Sequence, residues 1–403
     1  MPNSIPPLKR EQFKNQTILG LVATSALALL MACGGSAGTS SASTSTTTGT
    51  TTGTTTGTTT GTTTGTTTGT TTGTGTGTGT QTDCSTASTS SAKLVCLSNN
   101  FRATLSSTEL ASVTYALTST NATTRWSNLP VGFVPRNGLS ISQLSATSKL
   151  AAEALISAAL TTQGATTMNQ LRSADNYLST LTSGYGKDLY YIAFLGEPSA
   201  TNPWILQFTG HHYTTHISVN GPGNGASTEL SATPMFVGVE PTSFSDSGTS
   251  YAPMKNKRDA LLAMLSGLSS EQMVAAKLPQ AYDDLLVPPQ RDGKFPTVAS
   301  GLSVSSLSAS QQELVKAAIA SYAGDAAGTA QLQAYTTAAS LNQTYISWAS
   351  YSDLSTKGSY VRIDGPRVWI EFSVQGGIVI RDQNHYHSIW RDKTMDYGGN
   401  FSF

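Results

Sequence analysis

Residues 36–82 of this 403-residue chain carry no charged group and consist almost wholly of Thr, Gly and Ser, much of it as Thr-Thr-Thr-Gly and then Thr-Gly repeats. Such a segment has nothing with which to bury a core, so it is expected to stay disordered. Whatever folds must come from residues 84–403, about 320 in number. That is enough for one large domain or two small ones. No second stretch of comparable composition interrupts them, which favours one domain. As a flexible coil the Thr/Gly segment spans roughly 40 Å from end to end.

What precedes the segment reads as an export signal. Lys9, Arg10 and Lys14 form a basic start, and Thr17 to Met31 is almost wholly apolar. That run is short of the about 20 residues a spanning helix needs. It ends in Leu30-Met31-Ala32-Cys33 followed by two glycines, a pattern that resembles a bacterial lipobox. The expected layout is a signal peptide over residues 1–32, then a lipidated Cys33 opening a disordered linker to residue 83. A single globular domain follows over residues 84–403. Cys33 would tether the chain to a membrane. Gly34, in place of the Asp that retains such proteins at the inner membrane, points to the outer membrane or cell surface.

Two further cysteines remain, Cys84 and Cys96. An even pair in an oxidising compartment invites a disulfide. Closing so short a loop contributes roughly 3 kcal/mol by chain entropy and would staple the first ordered residues. Removing residues 1–32 takes three of the 23 basic and one of the 23 acidic residues, leaving a formal net charge of −2. That balance argues against nucleic acid as a partner, since its binding rests on neutralising phosphates with basic patches.

Four segments start helices alike, with a leucine and then a serine: Leu105-Ser106, Leu144-Ser145, Leu268-Ser269 and Leu307-Ser308. The serine oxygen caps free N–H groups of the first turn, and the leucine suits a hydrophobic staple. Glu109 and Gln311 complete capping boxes. The spacing predicts helices over 145–160, stopped by Gly164, and over 166–181, 256–266, 308–322 and 327–340. Strands are predicted in two groups. The first comprises 189–195, 204–219 and 229–239; the second comprises 344–348, 360–363, 368–374 and 378–389. Helices alternating with antiparallel strand groups indicate an α+β fold.

All five histidines lie in two windows, Gly210-His211-His212-Tyr213-Thr214-Thr215-His216 and Asn384-His385-Tyr386-His387. Imidazole is the commonest metal ligand. Side chains alternate along a strand, so His212 and His216 are expected to share one face, and His385 and His387 another. His211 would point away, unless Gly210 marks a bulge that re-aims it. If the two strands meet, His212, His216, His385 and His387 form a transition-metal site for zinc, copper, iron or nickel. A catalytic metal needs a base or a carboxylate nearby. His211, Glu371, Arg391 and Asp392 are the candidates. Each of the last three also fits an internal ion pair, and histidines also serve as bonded core residues or line a sugar-binding cleft. Three readings follow: a metal-dependent hydrolase of an extracellular substrate, a surface module binding glycan or peptide in a groove with Trp204 and Trp390, and a metal carrier. No nucleophile elbow, phosphate loop or His-Glu-x-x-His is present.

Several stretches resemble the bacterial domain of unknown function 3500 family. They are Phe133-Val134-Pro135-Arg136-Asn137-Gly138-Leu139, Tyr190 to Gly196, Trp204 to His212, Ile363 to Arg367 with Glu371-Phe372, and Asn384-His385-Tyr386-His387 through Asp396-Tyr397-Gly398. The resemblance implies a site at Gly-His-His and Asn-His-x-His, leaves His216 outside the shared pattern, and implies no reaction.

Overall fold

The computed structural model describes residues 81–222 and 230–403. The expected export segment, Cys33 and nearly all of the linker lie outside these residues. Helices in chain order are α1 Ser90–Ala103, α2 Ser107–Val113, α3 Ser119–Thr124, α4 Ala146–Ala158, α5 Thr162–Ser179, α6 Lys255–Ser266, α7 Ser270–Ala276, α8 Ala309–Ala323, α9 Gln331–Thr336 and α10 Ala338–Leu341. Strands are β1 Thr114–Tyr115, β2 Leu139–Ser140, β3 Tyr191–Leu195, β4 Trp204–Thr209, β5 Tyr213–Val219, β6 Met235–Val239, β7 Phe244–Asp246, β8 Thr249–Tyr251, β9 Leu302–Ser303, β10 Tyr345–Ala349, β11 Tyr360–Asp364, β12 Val368–Gly376 and β13 Asn384–Asp392. The fold is α+β. Among the described residues no helix is long and apolar enough to cross a membrane.

All four leucine–serine starts cap helices through the serine side chain, at Ser106, Ser145, Ser269 and Ser308. Gln272 adds a capping box at Ser269. Gly164 does not stop a helix. α4 ends at Ala158, Thr161 caps α5, and Gly164 lies in that helix's first turn. A Cβ at Gly164 would sit 2.1 Å from the Asp325 carbonyl oxygen, so the glycine admits a close backbone approach there. Cys84 and Cys96 form a disulfide, tying the residues before α1 to that helix.

Eleven strands build one mostly antiparallel sheet in the order β1-β3-β4-β5-β6-β13-β12-β11-β10-β9, with β2 also on β3. Alternation divides its residues cleanly. Leu206, Phe208, Ile217, Val237, Val361, Phe372 and Trp390 join the main core with Leu155, Leu171, Leu261 and Ile319 of the helices. The opposite face carries Gln207, His216, Glu371, His387 and Arg391, all buried. Loops cover it, through small clusters such as Trp126, Phe236, Leu285 and Ile389. The sheet is thus a middle layer with a polar, loop-covered side.

The two halves of the sheet repeat one another. Gly138-Leu139-Ser140-Ile141-Ser142 returns as Gly301-Leu302-Ser303-Val304-Ser305, each just ahead of a serine-capped helix. Leu139 faces Ile192 and Ser140 faces Tyr191, as Leu302 faces Ile346 and Ser303 faces Tyr345. Thr114 lies parallel to Phe194, as Lys277 lies parallel to Trp348. Carried through the remaining registers, Tyr213 and Val237 correspond to Val368 and Asp392. Met235 then corresponds to Trp390, and these two pair with each other where β6 meets β13. A pseudo-twofold axis therefore passes between the halves at that pair. The histidines do not follow it: His212 corresponds to Arg367 in the matching turn, where a buried Asp392 accepts from that arginine at 2.6 Å.

Two expected strands are corrected. Residues 204–219 are two strands, because Gly210-His211-His212-Tyr213 closes a hairpin in which Thr209 faces Thr214. Residues 378–383 are a loop, because the N–H groups of Ile378, Val379 and Ile380 all bond the buried Glu240 carboxylate instead of a neighbouring strand.

Candidate metal centre

The hairpin between β4 and β5 has only two loop residues, His211 and His212, closed by the Gly210 N–H donating to the Tyr213 carbonyl at 2.9 Å. So tight a turn needs a residue in left-handed backbone, and His212 supplies it with φ of 59°. That conformation costs a non-glycine residue on the order of 1–3 kcal/mol. Neighbours hold it: the His212 N–H donates to the Asn128 carbonyl and its carbonyl accepts from Gly238 N–H at 2.7 Å. Gly238 also makes room for the ring, since a Cβ there would lie 3.0 Å from His212 Cδ2. Gly210 is required by packing, because its Cβ would fall 2.4 Å from the Tyr190 ring beneath the turn.

His385 and His387 share a face of β13, as alternation requires, and face the hairpin turn across β6. The ligand atoms of His212, His385 and His387 lie within 4.8 Å of one another, all three residues being buried. Nε2 of His387 and Nε2 of His212 are 3.2 Å apart. Two imidazoles bound to one tetrahedral ion at about 2.0–2.1 Å stand roughly 3.3 Å apart, so the spacing fits a shared ion.

Charge supports the same fit. Burial, with the neighbouring imidazoles of His211, His387 and His385 adding to it, pushes His212 well below its ordinary value. Burial and then His387 push His385 down to about 4. Both rings are neutral at physiological pH, the form that binds a metal. The Gly376 backbone beside the His385 ring favours its charge but does not outweigh burial. His387 is held from behind. Its Nδ1 lies 3.1 Å from Asp284 Oδ1 and 2.9 Å from the Gln375 side-chain amide. A carboxylate behind a ring in this way fixes the tautomer with Nδ1–H outward and Nε2 free to bind. Burial opposes the charge on Asp284, but His387, the Leu285 N–H and Gln375 outweigh it and hold the carboxyl below its ordinary value.

His211 takes part differently. Its ring stacks on His212, with centroids 3.7 Å apart, and its Nδ1 lies 2.6 Å from Asp175 Oδ1 on α5. The Tyr190 hydroxyl donates to Asp175 Oδ2 or to the His211 carbonyl, at 3.0 and 2.7 Å. Asp175 therefore holds the ring through Nδ1, and Nε2 has no hydrogen-bond partner among the described residues. All four histidines line a pocket of about 410 Å³ closed by Leu129, Phe133, Tyr185 and Ile378.

Residues 87–399 match the family described as Protein of unknown function (DUF3500). The chain belongs to the DUF3500 family. No match was found among curated proteins, and none among solved structures. In this DUF3500 domain three of the four expected metal ligands come together and one does not. His216 lies inside β5 on the polar face as alternation requires, but four residues of extended strand, roughly 13 Å, separate it from His212 and put it out of reach of the cluster. Its Nδ1 donates to the Pro234 carbonyl at 2.9 Å and its Nε2 accepts from Gln207 at 3.0 Å, with Trp126 and Tyr397 against the ring.

Three of the expected catalytic residues also sit elsewhere. Glu371 is fully buried and accepts from Val287 N–H, Leu286 N–H, Trp369 Nε1 and Tyr360 OH, pinning a loop to the sheet. Arg391 bonds Asp292 and Asp396 at 2.9 Å. Burial disfavours its charge, but these carboxylates outweigh that and hold the guanidinium protonated. Asp392 takes bonds from Arg367 and from Tyr335 at 2.8 Å. None of these lines the pocket. Trp204 and Trp390 are buried in the helix-side core and so line no exposed groove. Asp175, Asp284 and Gln375 are the residues at the centre that the sequence reading missed. No spacing ties Asp175 or Asp284 to a histidine window.

Proposed function

We propose that His212, His385 and His387 hold one transition-metal ion, and that the domain hydrolyses a small substrate in the adjoining pocket. The observation that carries this reading is three buried imidazoles whose ligand atoms lie within 4.8 Å of one another and which line a cavity. Three protein ligands leave a coordination position open, which distinguishes catalytic from structural sites. The all-nitrogen ligand set suits zinc first, with copper, iron and nickel as competitors. When bound, the ion supplies Lewis-acid activation of water and of a carbonyl. His211 Nε2 is the proton acceptor beside it, and Asp175 steadies the imidazolium that forms, as the third member of a triad does. A carrier would have no use for the Asp175–His211 pair or for an apolar cavity. We also propose that the chain is exported and anchored through lipid on Cys33; the N-terminal pattern supports this, and the disulfide suits an oxidising compartment.

Elemental analysis of the full-length protein, produced by export and without a histidine tag, tests the site. One metal ion per chain is expected in the wild type and none in the His385→Ala/His387→Ala double variant. Equal metal content in the two would refute the site.

A further inference from the structure

Nine large hydrophobic side chains are exposed among the described residues, and four of them gather at one place: Leu129, Phe133, Leu181 and Ile378. Phe133 is 75% exposed and Ile378 68%. They surround the mouth of the histidine pocket and continue into a second hollow of about 470 Å³, which shares Pro130, Phe133, Tyr185 and Ile378 with it. Clustered apolar exposure of this kind marks a binding surface. The mouth is built rather than loose, because Glu240 takes the three successive N–H groups of Ile378, Val379 and Ile380 from behind.

Charge divides the two hollows. The inner pocket contains no lysine or arginine, and its carboxylates are already engaged, Glu240 by the loop and Asp284 by His387. The outer hollow contains one cation, Arg381, exposed and without an ion pair among the described residues. An apolar body with a distant negative charge finds both of its partners here.

Resting on the metal-site reading above, we propose that the substrate is a small amphipathic anion with a hydrolysable ester bond. Its aryl or alkyl body lies on Phe133 and Ile378, its carbonyl carbon reaches the histidine cluster, and its anionic group meets Arg381. Water adds its oxygen to the carbonyl carbon, the carbon–oxygen bond to the leaving alcohol breaks, and the proton taken by His211 passes to that alcohol. Ester and water thus give acid and alcohol, with no other reactant.

Isothermal titration of the full-length protein with 4-phenylbutyrate, and with uncharged 4-phenylbutanol, tests the substrate class. Both zinc-loaded and metal-stripped samples are used, with metal content measured in each. The wild type is expected to bind both probes saturably with the metal removed. Phe133→Ser/Ile378→Ser, two exposed positions, should weaken both about tenfold or more. Arg381→Gln should weaken only the anion, by roughly threefold. Loss of zinc binding with these probe differences intact would sink the metal reading and leave the amphipathic groove. Normal zinc loading with no saturable probe binding, or with binding unchanged in all variants, would overturn the substrate class alone.

Discussion

His211 and His212 are adjacent in sequence and differ in role because the turn aims them at different partners. His212 spends backbone strain to bring its ring to His385 and His387, whereas His211 is held by Asp175 at 2.6 Å with its other nitrogen free. Asp175→Asn keeps the shape but offers an N–H where the carboxylate accepted, so it favours the wrong tautomer of His211. Hydrolysis by the zinc-loaded protein should fall by about 10²–10⁴-fold while metal content stays at the wild-type level. Stopped assays paired with elemental analysis check this. An unchanged rate would remove the pair from the mechanism, and a parallel loss of metal would recast it as support for the ligands. Histidine clustering made the place legible at this scale. The acids were not legible, because Asp175 comes from α5 and Asp284 from a loop, each brought near only by the tertiary fold. Glu371, Arg391 and Asp392 looked catalytic for the opposite reason: they lie close in sequence or register to the histidines, yet face internal partners.

Elements were read best where a local rule governs them. The four leucine–serine starts became four caps because capping needs only a side chain and the next turn. That they are two related pairs, one in each half of the sheet, emerges only from strand registers. The hairpin at Gly210 was hidden because strand-forming residues run through it and only one glycine marks the turn. Ile378-Val379-Ile380 read as strand on composition. Glu240, from the end of a distant strand, takes its N–H groups and makes it a loop. The pocket needs both departures, since the first supplies His212 and the second supplies the apolar lip. In the other half of the pseudo-twofold, an Arg367–Asp392 pair occupies the corresponding turn. The two halves thus share one strand scaffold, and only one of the two corresponding turns carries histidines.

At the largest scale, the described residues of the DUF3500 domain form a sheet buried on both sides, with helices over an apolar face and loops over a polar one. The polar face ties stability to pH. Burial pushes His216 down to about 4, despite the Pro234 carbonyl that favours its charge. In the unfolded chain the ring titrates near its ordinary 6.5. Its folded value is depressed, so its contribution is present above 6.5 and lost as pH falls through about 4. Denaturant unfolding of metal-stripped protein should show the gap between wild type and His216→Asn narrowing by on the order of 3 kcal/mol from pH 7 to pH 4. A gap independent of pH would contradict a neutral, buried His216. Two distant sequence windows meeting on either side of the central strand β6 is the claim on which the functional account stands. X-ray absorption at the metal edge, on the full-length exported protein, measures it most directly. The account predicts three imidazole nitrogens at about 2.0–2.1 Å, with their multiple-scattering signal lost in His385→Ala/His387→Ala. An ion bound with fewer than three imidazoles, or one whose spectrum the double substitution leaves unchanged, would contradict it.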